Sequence, residues 1–255
     1  MFTKIKSKSL VLAAFLSVAL LIAVVVWFFG RAPSSEARSV IVQDYLDSEK
    51  TILYIGNVDD SGAPFAVVMY DASSPEALRH YAEASRVRGQ ELIDSGVTEL
   101  YVWVTFRYPL DLSVFEDIVK QSGLDVKRYT IRALGQKGDR IGISGGPLDG
   151  VLFPPPLLDR ALESIQEHEN GQAELKGVFE VTGVISAEGY QKLIQDPRVF
   201  LVDVTGSLVY HHPAYKNRVR MDWKEFIASF QIGSGPGAPF WYMEDFGLEK
   251  FVADR

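Results

Sequence analysis

The sequence predicts an α+β protein: an N-terminal transmembrane helix followed by an ectodomain with a βαββαβ core, an antiparallel sheet with helices on one face. Two patterns and one number carry this expectation. The run from Leu10 to Phe29 has no charge, and Ser17 is its only polar member. A helix of that length covers about 30 Å, the depth of a bilayer core. Further on, a strand–helix–strand pattern occurs twice, over residues 98–134 and 175–205. Finally, hydrophobic residues make up 47% of the chain and charged ones 23%, which leaves a globular remainder behind the apolar run.

Lys4, Lys6 and Lys8 precede the apolar run and no acidic residue does, so the positive-inside rule puts residues 1–9 in the cytoplasm and everything after residue 29 outside. Trp27, Phe28 and Phe29 suit an aromatic belt at the outer interface. The competing reading is a cleaved signal peptide, with Ser35-Glu36-Ala37 as a small-x-small site, a mature N-terminus near Arg38 and a secreted domain. The apolar run is longer than the roughly 7–15 residues of a signal core, which favours an anchor. The expected locus is therefore the cell membrane, single-pass, with the lipid bilayer as a partner through Leu10 to Phe29.

Residues 30–38 (GRAPSSEAR) read as a stalk. Residues 39–97 read as a helix over 39–49, a β-hairpin from TILYIGN and FAVVMY about a turn at Asp59-Asp60-Ser61-Gly62, and a second helix. Ser73 or Ser74 caps that helix, Pro75 opens it and Gly96 stops it. The core spans 98–205. Its first unit is the strand TELYVWVTFRY, the helix LSVFEDIVKQS ended by Gly123, and the strand DVKRYTIRAL. Its second is the strand LKGVFEVTGVI, the helix AEGYQKLIQ capped by Ser186 and stopped at Asp196-Pro197, and the strand RVFLVDVT. Two such units in tandem are the sequence form of a ferredoxin-like sandwich. Residues 135–174 are an insertion with a Gly-rich loop, the triple Pro154-Pro155-Pro156 and a helix over 157–169. Residues 206–255 are a C-terminal extension: a turn at His211-His212-Pro213, a helix over 223–230, a flexible break over 233–239, and an aromatic tail. Exposing Phe240, Trp241, Tyr242 and Phe246 is costly, so the tail is expected to fold back on the core.

Gly177, Phe179, Leu193, Asp196, Pro197, Val199 and Val202 share one pattern: an aromatic after Gly in a strand, a helix ending L-x-x-D-P, and a V-x-x-V closing strand. In this pattern residues 176–204 resemble the propeptide-like inhibitor domains of subtilisin-type proteases. The resemblance implies a ferredoxin-like fold and permits an inhibitor or chaperone-like docking role. The chain carries no subtilisin-type catalytic domain, and the insertion at 135–174 has no counterpart in that family.

The chain has no Cys, which excludes disulfides, thiolate catalysis and Cys-ligated metals. Beyond the anchor it keeps 23 of 26 basic residues and all 33 acidic ones, a net of −10 with no basic block, so nucleic acid is not an expected partner. Gly142-Ile143-Ser144-Gly145-Gly146-Pro147-Leu148 looks like the nucleophile loop of trypsin-like serine proteases, but the chemistry also needs a His base and an acidic orienter. The only upstream His is His80, on a predicted helix. His211 and His212 are adjacent and point apart in an extended chain, and His168 and Asp203 are unplaced relative to them, so no metal site is assigned. Glu163 and Glu167 share a helix face near His168 and Glu169, the pattern of a solvated surface rather than an acid–base pair. Trp103 reads as core, and Pro154–Pro156 as a stiff loop rather than a polyproline ligand. The expectation is a membrane-anchored extracytoplasmic protein-binding or scaffold module, inhibitor-like or sensor-like, with a protein partner outside the cytoplasm. No catalytic, cofactor or metal residue is assigned. The alternative is an extracytoplasmic hydrolase using Ser144.

Overall fold

The structure is a computed structural model and describes residues 40–43, 52–57, 64–135, 138–168, 173–211, 221–234 and 237–252. The apolar run at 10–29, the segment 30–38 expected as a stalk, and residues 58–63 and 212–220, which include the expected turn at Asp59-Asp60-Ser61-Gly62 and His212-Pro213, lie outside the described residues. Among the described residues no helix is long and apolar enough to cross a membrane.

The fold is mixed α+β, with an antiparallel sheet and helices. Strands β1 (Val40–Gln43), β2 (Ile52–Asn57) and β3 (Pro64–Met69) pair antiparallel in sequence order. β1 corrects the helix expected over 39–49. Val40, Ile41 and Val42 are β-branched, stiff at χ1 and suited to a pleat, and they pair with Ile55, Tyr54 and Leu53. Helix α1 (Pro75–Asp94) follows, with Ser74 Oγ accepting from Ala77 N at 3.1 Å and Pro75 in the first turn.

The five-stranded sheet comes next. It contains β4 (Glu99–Leu110), β5 (Asp125–Leu134), β6 (Arg140–Gly145), β7 (Glu174–Ser186) and β8 (Val199–Asp203). The spatial order is β6-β5-β7-β4-β8, antiparallel throughout. Helix α2 (Leu112–Ser122) joins β4 to β5 and ends on Gly123 in the left-handed region. Helix α3 (Pro155–His168) follows β6, and α4 (Ala187–Gln195), capped by Ser186, joins β7 to β8. The Gly-rich stretch is therefore a fifth strand on β5 rather than a loop. Ile141 and Ile143 alternate with Arg140, Gly142 and Ser144, so the period of two outweighs the glycines.

After β8 the described residues form the helices α5 (Thr205–His211), α6 (Trp223–Ser229), α7 (Pro239–Asp245) and α8 (Glu249–Val252). Between α6 and α7, β9 (Gln231–Ser234) pairs parallel with β3, so Gly233 and Ser234 belong to a strand and not to a flexible break. The closing strand stops at Asp203, and His211 ends a helix instead of making a turn.

Alternation divides the large sheet. Leu100, Val102, Val104 and Phe106 of β4 join Phe115 and Ile118 of α2 and Tyr190 and Leu193 of α4 in one core. Tyr101 and Leu201 face a second core with Val68, Tyr70, Tyr81, Phe226, Met243 and Phe251. The expected one-sided helical layer describes α2 and α4. It fails for α7, where Phe240 stacks on Phe179 of β7 with centroids 4.6 Å apart. The aromatic tail is thus packed down, with Phe240 and Met243 buried.

One backbone contact fixes how β4 and β7 cross. Gly177 has φ +117°, and a Cβ there would stand 2.1 Å from the Leu110 carbonyl oxygen. Gly177→Ala should therefore destabilise the chain by about 3 kcal/mol or more, read as a lower urea midpoint at unchanged slope. A shift under about 0.5 kcal/mol would mean the two strands separate freely at this point.

Candidate functional site

The face of the large sheet that carries Tyr101 is polar; Trp103, Thr105, Thr130, Arg132, Thr182 and Asp203 are buried on it, Glu180 is half-buried, and Arg128 and Ser144 are exposed. The register puts Arg128, Thr182, Trp103 and Asp203 in one row across β5, β7, β4 and β8. The next row is Ser144, Thr130, Glu180, Thr105 and Leu201. Between them, on the other face, the row Tyr129, Val181, Val104 and Val202 is apolar apart from the Tyr129 hydroxyl. Polar groups on a covered face need partners, because an unmatched one costs about 1–3 kcal/mol.

Most have them. Glu180 accepts from Trp103 Nε1 at 3.2 Å and from Thr130 Oγ1 at 2.9 Å. Burial lifts its pKa, and these hydrogen bonds and the charges of Arg128 and Arg132 pull it back. Asp203 is 1% exposed, accepts from the Thr205 N–H at 2.6 Å and from the Tyr81 hydroxyl, and burial pushes its carboxyl up. Tyr81 is pushed up by burial and then by the adjoining Asp203 charge. Tyr70 stacks on Tyr81 with centroids 4.7 Å apart and donates to the Gly237 carbonyl. Burial thus raises the pKa of both carboxyls and both tyrosines. Thr105 Oγ1, on the row of Glu180, is buried with no hydrogen bond among the described residues.

The same face carries an ion pair. Arg132 is 1% exposed; its Nε and Nη2 donate to the two Glu244 oxygens at 2.9 Å each, and its Nη1 donates to the Ile141 carbonyl at 3.2 Å. Its guanidinium lies 4.1 Å from the Trp241 ring and 4.5 Å from that of Phe179. This clamps α7 onto the sheet.

Two surface features adjoin these layers. One is the outer edge of β6. The other is a cleft of about 320 Å³ between the chain leaving α1 (95–99) and Tyr210, His211 and Trp223.

The residues singled out in the sequence scatter over these features. Ser144 is exposed in β6, opposite Thr130, and among the described residues no histidine or carboxylate hydrogen-bonds to it. His80 is exposed on α1. His211 lines the cleft, His212 lies outside the described residues, and Asp203 is on the polar face. Among the described residues no group of three or more His, Cys, Asp or Glu is placed to hold a metal. Glu163 and Glu167 are exposed on α3, and Glu169 is outside the described residues. Trp103 is buried as expected, but its N–H serves Glu180. Pro155 opens α3 rather than sitting in a loop. Glu180, Tyr81 and Arg132 were not anticipated. A carboxylate and an arginine inside the strand runs FEVTGVI and YTIRAL are the signal that marks them.

No family model, no curated protein and no solved structure matches this chain.

The raised carboxyls have a consequence for stability. Between the ordinary carboxylate value near 4 and the raised native value, the folded chain binds more protons than the unfolded one. Stability is complete below that window and falls as pH rises through it. Asp203→Asn removes one titrating group, so its urea midpoint should fall less between about pH 4 and 7 than that of the parent, Glu180 and Glu244 supplying a residual slope. Equal slopes in the two chains would show that Asp203 ionises in the native state as freely as in the unfolded one.

Proposed function

We propose that the chain is a membrane-anchored extracytoplasmic protein-binding module. In this reading residues 10–29 span the bilayer, the N-terminus is cytoplasmic, and a ferredoxin-like core carries β6 as an added edge strand. The order β8-β4-β7-β5 with α2 and α4 as connections supports that core.

The observation that carries the binding role is the difference between the two edges of the sheet. The β8 edge is covered: Ser85 Oγ of α1 donates to the Val202 carbonyl at 2.9 Å, and Arg86 Nη2 donates to that of Phe200 at 3.3 Å. The outer edge of β6 meets no strand among the described residues. Proteins guard such edges with charges, prolines or covers. Here the single charge, Arg140, is turned to Asp245 at 2.7 Å and Glu244 at 3.3 Å, and residues 141–145 are Ile, Gly, Ile, Ser and Gly. The strand leads to a tight turn with Asp149 and Gly150 at positive φ, which leaves Leu148 and Val151 53% and 49% exposed. An unguarded edge ending in two exposed apolar side chains fits an extended segment that adds a strand and seats a side chain at the turn.

A photo-crosslinking amino acid at Ser144 should give a discrete adduct in the native membrane. The same group at Val87 on α1 should give none, and Leu148→Asp with Val151→Asp should abolish the Ser144 adduct. No adduct at Ser144, or an equal one at Val87, would refute the edge as the binding surface. The Cys-free chain also permits a clean topology test. An impermeant thiol reagent on intact cells should label Glu163→Cys and leave Ser7→Cys unlabelled until the membrane is opened. The reverse pattern would refute the orientation.

A further inference from the structure

Three features of the cleft at the end of α1 favour positive charge, and each arises from a different part of the chain. The cleft begins where α1 ends. Twenty aligned residues leave a partial negative charge at that terminus, and its last turn holds Asp94 and no basic residue. Glu99, the first residue of β4, supplies a carboxylate whose Oε2 accepts from Trp223 Nε1 at 3.1 Å. That bond fixes an acid beside an indole. The opposite wall is aromatic: Tyr210 and His211 lie 4.8 and 5.5 Å from the Trp223 ring, centroid to centroid. Aromatic faces attract cations, Trp most strongly. Among the described residues lining the cleft there is no Lys or Arg, and His211 is the one basic side chain.

We propose that this cleft is a binding site for a small organic cation of the alkylammonium or quaternary ammonium class. The volume of about 320 Å³ admits a headgroup of that size. A metal ion is a poor fit, because the walls are rings and one carboxylate already holding an indole N–H. The apolar surface of an alkylated ammonium packs on the rings, and its charge is met by Glu99 and the helix terminus. The site is separate from the β6 edge, so it stands whether or not that edge binds a protein.

The probe is choline, with 3,3-dimethylbutanol as its uncharged isostere. The full chain in non-ionic detergent carries 5-fluorotryptophan, and Trp223→Phe identifies the Trp223 resonance among the four tryptophans. Choline should move that resonance saturably in the millimolar range, and the isostere should leave it in place. Glu99→Gln keeps an oxygen for the indole N–H and removes the charge, so the fold is preserved while choline affinity falls by about threefold or more. Glu99→Lys should abolish binding. An equal response to the isostere, an unchanged affinity in Glu99→Gln, or no movement of the Trp223 resonance would overturn the proposal.

Discussion

A guanidinium out of water holds the second layer of this protein in place. Arg132 points from a central strand into a covered face, and Glu244 of α7 is its counter-ion. Burial lowers the pKa of the arginine and raises that of the glutamate, and each offsets the other. Removing the Glu244 carboxylate with α7 still in place would leave a buried charge unmatched, a loss on the order of 3–5 kcal/mol. The rings of Phe179 and Trp241 on the same guanidinium add a contact that a lysine would not reproduce, since it lacks the planar fork. The tail is therefore part of the sheet's covering, and Arg132 and Phe179 beneath it are out of water.

That dryness explains the carboxylates. Burial raises the pKa of Glu180 and Asp203. Under α7, β9 and α1 they rely on Trp103, Thr130, Tyr81 and the Thr205 N–H. Such a network specifies one arrangement of strands more sharply than an apolar face would, because a slipped register leaves several groups without partners at once. The apolar face beneath α2 and α4 supplies burial, and the polar face supplies uniqueness.

The sequence made the large sheet legible because its signals are local. Ser74, Gly123 and Ser186 cap where the side-chain chemistry says they should, and the runs 125–134 and 187–195 are bounded by glycine, serine and Asp-Pro. What it hid were the non-local pairings. Nothing inside GISGG announces that it pairs with RYTIRA, and glycine suggested a loop. QIGS becomes a strand only because β3 offers an edge. β1 reads as a mixed segment until its three β-branched residues meet β2. The polar face was hidden for the same reason. Thr130, Glu180 and Thr105 belong to three separate runs, and only the register brings them into one row.

The added strand also gives the sheet a direction. Without β6, β5 would be an edge and the row of Thr130 and Glu180 would end at solvent. β6 moves that boundary one strand outward and spends its only charge on α7, through Asp245 and Glu244, instead of on guarding itself. The one charge that β6 carries thus adds to the clamp that Arg132 places on the tail. In the proposed reading, covering the polar face and leaving the β6 edge unguarded both follow from where the Arg140 side chain points.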